Sequence, residues 1–156
     1  MVSVMMLVTP IISAVANQNK VSPVGAFKII IHPPTEPLEQ FETREIRGTH
    51  QLIPGALDQL FPLLWMSQYS LLECKSAPDW VVVTIPDRGL ITPPDGVEYS
   101  FTILISLQND APPNTVGKIS MGITTGRFMR TMFPSWFPLC NEFNLDQEFT
   151  IRTSDW

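Results

Sequence analysis

His32, His50, Cys74 and Cys140 are the side chains of this sequence best suited to nucleophilic, acid–base or metal chemistry. A zinc site wants four ligands in short-spaced pairs, and neither cysteine has a second cysteine or a histidine close by, so no zinc site is expected. The two thiols read instead as reduced and buried rather than as one disulfide. Nucleophilic catalysis needs a Ser or Cys on a strained turn served by a His and an acid, and no GxSxG elbow is present. His32 sits at a strand end before Pro33-Pro34, and His50, after Gly48-Thr49, reads as a loop residue. A triad assembled in space is not visible at this level, so a small β-sandwich hydrolase stands as a third reading, tested by replacing both histidines.

Carboxylates offer little more. A glycosidase site needs two acids held across a cleft. Glu98 projects from the polar side of an alternating segment, and Asp87, Asp95 and Asp110 lie where turn capping accounts for them. The DxDxDG spacing of a calcium loop, a glycine-rich phosphate loop and a dinucleotide fingerprint are all missing. No catalytic residue, cofactor or metal ligand is therefore assigned, and the chain is read as a non-enzyme.

Binding chemistry is better represented. In Gly126-Arg127-Phe128-Met129-Arg130-Thr131-Met132-Phe133-Pro134-Ser135-Trp136-Phe137-Pro138-Leu139 aromatic and basic residues are interleaved. Stacking on single-stranded bases is one use of that pattern, but two arginines are few for holding phosphates. The segment is too apolar for a free loop and too rich in proline for a strand, so it is expected to lie against a core or a neighbouring subunit, where aromatics, Met and Arg are enriched. Arg127, Phe128, Met129, Arg130, Phe133, Trp136 and Phe137 are the expected subunit-contact residues, with Trp156 as a terminal anchor.

Short strands must position these residues. From Val97 to Gln108 every odd position is apolar and every even one except Leu104 is polar, the period of a half-buried strand. Asn109 to Asn114 form a turn, and Val116 to Thr125 alternate again with Ile119, Met121 and Ile123 on one side, which suggests a hairpin. Phe27–Ile31 and Trp80–Ile85 are β-branched runs stopped by Pro33-Pro34 and Pro86. Gly89 and Pro93-Pro94-Asp95-Gly96 read as parts of one long turn, Phe149–Arg152 as a short final strand, and Glu36–Arg47 as a solvated connection. A helix near 55–66 is limited to a turn or two by Pro62.

Residues Met1 to Ala16 are apolar and end in Ala14-Val15-Ala16, as a signal-peptidase site does, but no Lys or Arg precedes the run. Pro10 and the short length argue against a transmembrane helix, and Val2, Val4, Leu7, Val8, Ile11 and Ile12 suit a buried strand. So bare a beginning suggests a piece of a larger polypeptide.

These elements fit one domain over 1–156, all-β, an antiparallel β-sandwich of jelly-roll or immunoglobulin-like type. The chain is 44% hydrophobic and 16% charged, with 15 prolines and a net charge of −5. That composition excludes intrinsic disorder and, lacking a basic run, disfavours a dedicated nucleic-acid-binding domain. So few charges suit a surface partly covered by neighbours.

Three short segments resemble the capsid proteins of small positive-strand RNA viruses, of picorna-like and plant-virus jelly-roll type. Leu60–Tyr69 is similar to the apolar segment leading into a framework strand, Trp80–Pro86 to a strand ending in proline, and Asn114–Met121 to the start of a late strand. The resemblance implies a self-assembling structural protein of an icosahedral virion, formed in the host cytoplasm. Its partners would be copies of itself, other capsid subunits and a host receptor, with little nucleic-acid contact and no membrane. The alternative is a secreted β-sandwich module that binds carbohydrate or protein.

Overall fold

The computed structural model describes residues 25–56, 66–129 and 142–156. They form eight strands: β1 (Ala26–Ile31), β2 (Thr43–Ile53), β3 (Met66–Ser76), β4 (Val81–Thr84), β5 (Gly89–Thr92), β6 (Glu98–Leu107), β7 (Val116–Met129) and β8 (Glu142–Arg152). Two four-stranded sheets, ordered β1-β2-β6-β4 and β5-β3-β7-β8, enclose one core, and every neighbouring pair is antiparallel. The chain is an all-β sandwich, as the composition and turn spacing imply.

Of the two sandwich types anticipated, the strand order is the immunoglobulin one. An immunoglobulin constant domain places its strands A-B-E-D in one sheet and C-F-G in the other. Here β1-β2-β6-β4 and β3-β7-β8 follow that order in the same chain sequence, with β5 added at the edge beside β3. In a jelly roll the first and last strands share a sheet, whereas β1 and β8 lie in different ones. Neither β2 nor β7 contains a cysteine, so the antibody-type disulfide between the sheets has no counterpart.

Alternation accounts for the core. Phe101, Ile103, Ile105 and Leu107 point inward from β6, and Ile119, Met121 and Ile123 from β7. Phe27, Ile29 and Ile31 of β1, Ile46 and Leu52 of β2, Leu72 of β3, and Phe149 and Ile151 of β8 complete the layer. Two close approaches shape it. A Cβ at Gly48 would fall 2.0 Å from the Phe101 ring across the β2–β6 pair, so the ring occupies the space that glycine leaves. Gly117 does the same for Pro78 and Trp80, whose ring carbons would lie 2.7–2.9 Å from an added Cβ.

Several expectations are corrected. β6 and β7 are not a hairpin: β6 pairs with β2 and β4, while β7 pairs with β3 and β8. Pro112 and Pro113 carry the intervening chain from one sheet to the other. The stretch around Gly89 contains β5, and residues 43–47 of the supposed solvated connection begin β2, whose outward Thr43, Glu45 and Arg47 gave them a loop-like composition. The final strand starts at Glu142, well before Phe149. The expected helix near 55–66 falls mostly on residues 57–65, and the expected first strand on residues 1–16; both lie outside the described residues.

Candidate functional site

Strand register gives the sandwich two unlike ends. At the upper pole β1 begins, opposite the end of β2; β3 and β8 begin, opposite the end of β7; and β5 ends close to the start of β6. The chain therefore enters or leaves segments 1–24, 57–65 and 130–141 from this one pole. In sequence these are the apolar run, the Leu-Phe-Pro-Leu-Leu-Trp run and the Phe/Trp/Pro run. In an immunoglobulin variable domain the loops joining B to C and F to G share one pole and form the binding surface; here they correspond to residues 54–65 and 130–141.

Beneath that pole the space between the sheets is polar. His50 Nδ1 and Thr92 Oγ1 are 2.6 Å apart, a hydrogen bond from β2 to β5 that joins the two sheets. Thr125 Oγ1 accepts from Gln68 Nε2 at 2.8 Å, lies 3.0 Å from Ser70 Oγ and donates to the Tyr69 carbonyl at 2.8 Å. His50, Gln68, Ser70, Thr92 and Thr125 are all buried. The imidazole of His50 stacks on Tyr99, whose hydroxyl donates to Asp95 Oδ2, while Asp95 Oδ1 caps the Val97 amide. The Tyr99 hydroxyl and the Val97 amide outweigh the small cost of burial and hold the Asp95 carboxyl below its usual range.

His50 is thus a buried strand residue and not the loop residue its neighbours suggested. Its described side-chain hydrogen bond goes to a threonine with no solvent access, which is a cross-sheet clamp and not a nucleophile–base pair. His32, exposed at the end of β1, reaches Thr49 Oγ1 at 3.5 Å. Burial pushes the His50 pKa below its ordinary 6.5. The unfolded chain then binds the extra proton first, so stability contributed by neutral His50 is complete above about pH 6.5 and drains away as pH falls toward the lower folded value. Urea midpoints of the parent should fall between pH 7.5 and 5.5, with a slope that His50→Gln flattens and His32→Gln retains; equal slopes in the parent and His50→Gln would contradict the clamp.

The contact residues expected from sequence are only partly among the described residues. Arg127, Phe128 and Met129 are the last residues of β7, opposite Gln68, Ser67 and Met66. Arg130, Phe133, Trp136 and Phe137 lie outside the described residues, in the segment that leaves the same pole. Trp156 is at the opposite end. There Leu38 and Thr153 form a parallel bridge, the Ser154 amide donates to the Leu38 carbonyl and the Asn114 amide to the Ser154 carbonyl, so the tail is tied to the base of the sandwich.

The base also carries residues that sequence reading missed. Phe41 adopts φ 61° in the 39–42 turn and is 67% exposed. The left-handed region costs a bulky L-residue roughly 1–2 kcal/mol, and nothing in its local sequence announces it. Arg44 steadies the turn by donating to both Glu42 carboxylate oxygens and to the Glu36 and Pro37 carbonyls. Burial opposes the Glu42 charge, but the Glu39 amide and Arg44 together hold its pKa below the ordinary value. An open depression of about 380 Å³ beside this turn, with His32, Glu36, Arg44, Glu45 and Arg47 in its lining, mixes both signs of charge and selects no ligand class.

Cys74 is exposed, correcting the buried-thiol expectation, because β3 bulges between Cys74 and Ser76 beyond the end of its pairing with β5. Cys74 is a free thiol, and Cys140 lies outside the described residues.

Among the described residues no group of three or more His, Cys, Asp or Glu side chains is placed to hold a metal ion, and no helix is long and apolar enough to cross a membrane. No protein-family model matches the chain, and no curated protein matches it.

Proposed function

We propose that the chain is a non-enzymatic β-sandwich module that associates with other protein, copies of itself included, through its upper pole. The observation that supports this reading is that the described strand ends flanking residues 1–24, 57–65 and 130–141, which are apolar, aromatic-rich or proline-broken in sequence, lie at one end of the sandwich. A polar, buried hydrogen-bond network lies directly beneath that end. Aromatic and Met side chains flanked by arginines are the composition of interface centres. Assembly into a viral shell is a narrower form of the same association, a secreted module that binds carbohydrate or protein is the alternative, and a β-sandwich fits both.

The test is sedimentation of the full chain beside Phe133→Ser/Trp136→Ser/Phe137→Ser. The parent should run as multiples of 17.6 kDa. The triple variant should run as the monomer with the parent's strand circular dichroism. A parent that stays monomeric at high concentration, or a variant that associates as the parent does, overturns the reading; so does a variant that unfolds, because the aromatics then belong to the chain's own core.

A further inference from the structure

We infer that two copies of this chain pair edge to edge through β8, antiparallel about a two-fold axis at Gln147. This surface is separate from the upper pole. Four strands have an open side: β1, β4, β5 and β8. Proteins guard such sides with short strands, prolines and bulges, because a free row of N–H and C=O groups recruits another chain. β4 and β5 have four residues each and are bounded by Pro78, Pro86 and Pro93, and β1 has six with Pro33-Pro34 just beyond it. β8 has none of these guards. It runs eleven residues without a proline and pairs with β7 in unbroken register.

The open side of β8 is already in use at the base. The Leu38 amide donates to the Arg152 carbonyl at 2.7 Å and the Ser154 amide to the Leu38 carbonyl at 2.9 Å. Backbone groups alternate in direction along a strand, so Asn144, Asp146, Glu148 and Thr150 turn their N–H and C=O the same way as Arg152, away from β7. Among the described residues, only the Leu38 segment pairs with that side.

Gln147 supplies the register. It is the midpoint of β8, faces inward and is 5% exposed, yet its Oε1 is buried with no hydrogen-bond partner. An unpaired buried acceptor is a standing cost that a donor removes. A two-fold axis at Asp146 sets Gln147 against Leu145 of the second copy, and an axis at Glu148 sets it against Phe149; neither brings a side-chain donor. An axis at Gln147 sets the two amides side by side, and each Nε2 donates to the other's Oε1. Asp146 then lies opposite Glu148 of the second copy. Those carboxylates do not meet bare, because Lys75 Nζ is 2.6 Å from Asp146 Oδ1 and Lys118 Nζ is 2.6 Å from Glu148 Oε2. The contact is isologous and closes at two copies. A short stretch of edge makes a contact smaller than the about 1,000 Å² of a stable interface, so it fills at high concentration and leaves micromolar sedimentation to the upper pole.

The test traps the pair and reads its register. Opposite residues that share no ladder bond in an antiparallel pair have Cα atoms about 4.5 Å apart, within reach of a disulfide. In a Cys74→Ser/Cys140→Ser background, mild oxidation of Gln147→Cys should yield a covalent dimer about tenfold faster than Thr150→Cys, whose position lies opposite Asn144 of the second copy. Adding Glu148→Pro, which deletes one outward N–H and no bond to β7, should slow the cross-linking about tenfold. Should the cysteine form lose its fold, hydrogen exchange of the parent decides. Between about 20 µM and about 1 mM the amides of Asn144, Asp146, Glu148 and Thr150 should slow about fivefold, while that of Gln147, bonded to β7, stays slow at both. A Gln147→Cys protein that cross-links no faster than Thr150→Cys, a proline that leaves the rate unchanged, or edge amides whose exchange is independent of concentration each overturn the pairing and leave the upper-pole reading standing.

Discussion

Gly48→Ala should destabilise the fold by about 2 kcal/mol and Gly48→Val by about 3 kcal/mol, although strand propensity alone predicts a gain of roughly 0.5–1 kcal/mol from removing a glycine. The sign is decided by Phe101. Three atoms of its ring would lie 2.0–2.6 Å from the new Cβ, and the ring is buried with the His50 imidazole 6.0 Å away on the neighbouring position. A flexible surface side chain would swing aside; a phenyl ring packed between two sheets has to displace its neighbours, because protein interiors leave few voids. Pairing Gly48→Val with Phe101→Leu should recover part of the loss, giving a coupling of about 1 kcal/mol in a double-mutant cycle. Urea denaturation measures both, and a Gly48→Ala protein as stable as the parent would mean that the ring does not occupy this space.

Thr125→Val should cost about 2–4 kcal/mol, a large effect for a change of nearly constant volume. The hydroxyl of Thr125 is the only described partner of the Gln68 amide and of the Ser70 hydroxyl, and all three residues are buried. Each group left without a partner away from water loses roughly 1–3 kcal/mol. Thr125→Ser keeps the hydroxyl and should cost only about 1 kcal/mol for the lost methyl. Combining Thr125→Val with Gln68→Leu should be milder than Thr125→Val alone, since a pair of apolar groups leaves no orphan amide. If valine and serine prove equally tolerated, the network beneath the upper pole does not contribute to stability.

The legible parts of this fold are those where one rule acts alone. β6 was readable because its inward Phe101, Ile103, Ile105 and Leu107 alternate with outward Ser100, Thr102 and Ser106, and β1 and β4 because prolines end them. β2 was not, since its inner face includes Gly48 and His50 and its outer face Thr43, Glu45 and Arg47, so alternation of apolar with polar residues is lost. The glycine that made Gly48-Thr49-His50 look like a loop is there to receive a ring from another strand, a fact no local window contains. Loop length suggested a β6–β7 hairpin, but loop length does not tell which sheet receives the next strand. For the candidate site, the aromatic segment was visible as composition. The polar network of His50, Thr92, Gln68, Ser70 and Thr125 was not, because its members come from four strands that only the register brings together.

The parallel bridge between Leu38 and Thr153 has a kinetic consequence. It joins residues from the beginning and the end of the described fold, and β7 lacks its outer partner until β8 exists. Contacts of such high sequence separation impose loop-closure entropy before any native pairing repays it, which places this chain among slow folders. On the ribosome, a nascent chain released up to Met129 would present β7 with one ladder unfilled, and pairing between neighbouring nascent chains would compete with the arrival of residues 142–154.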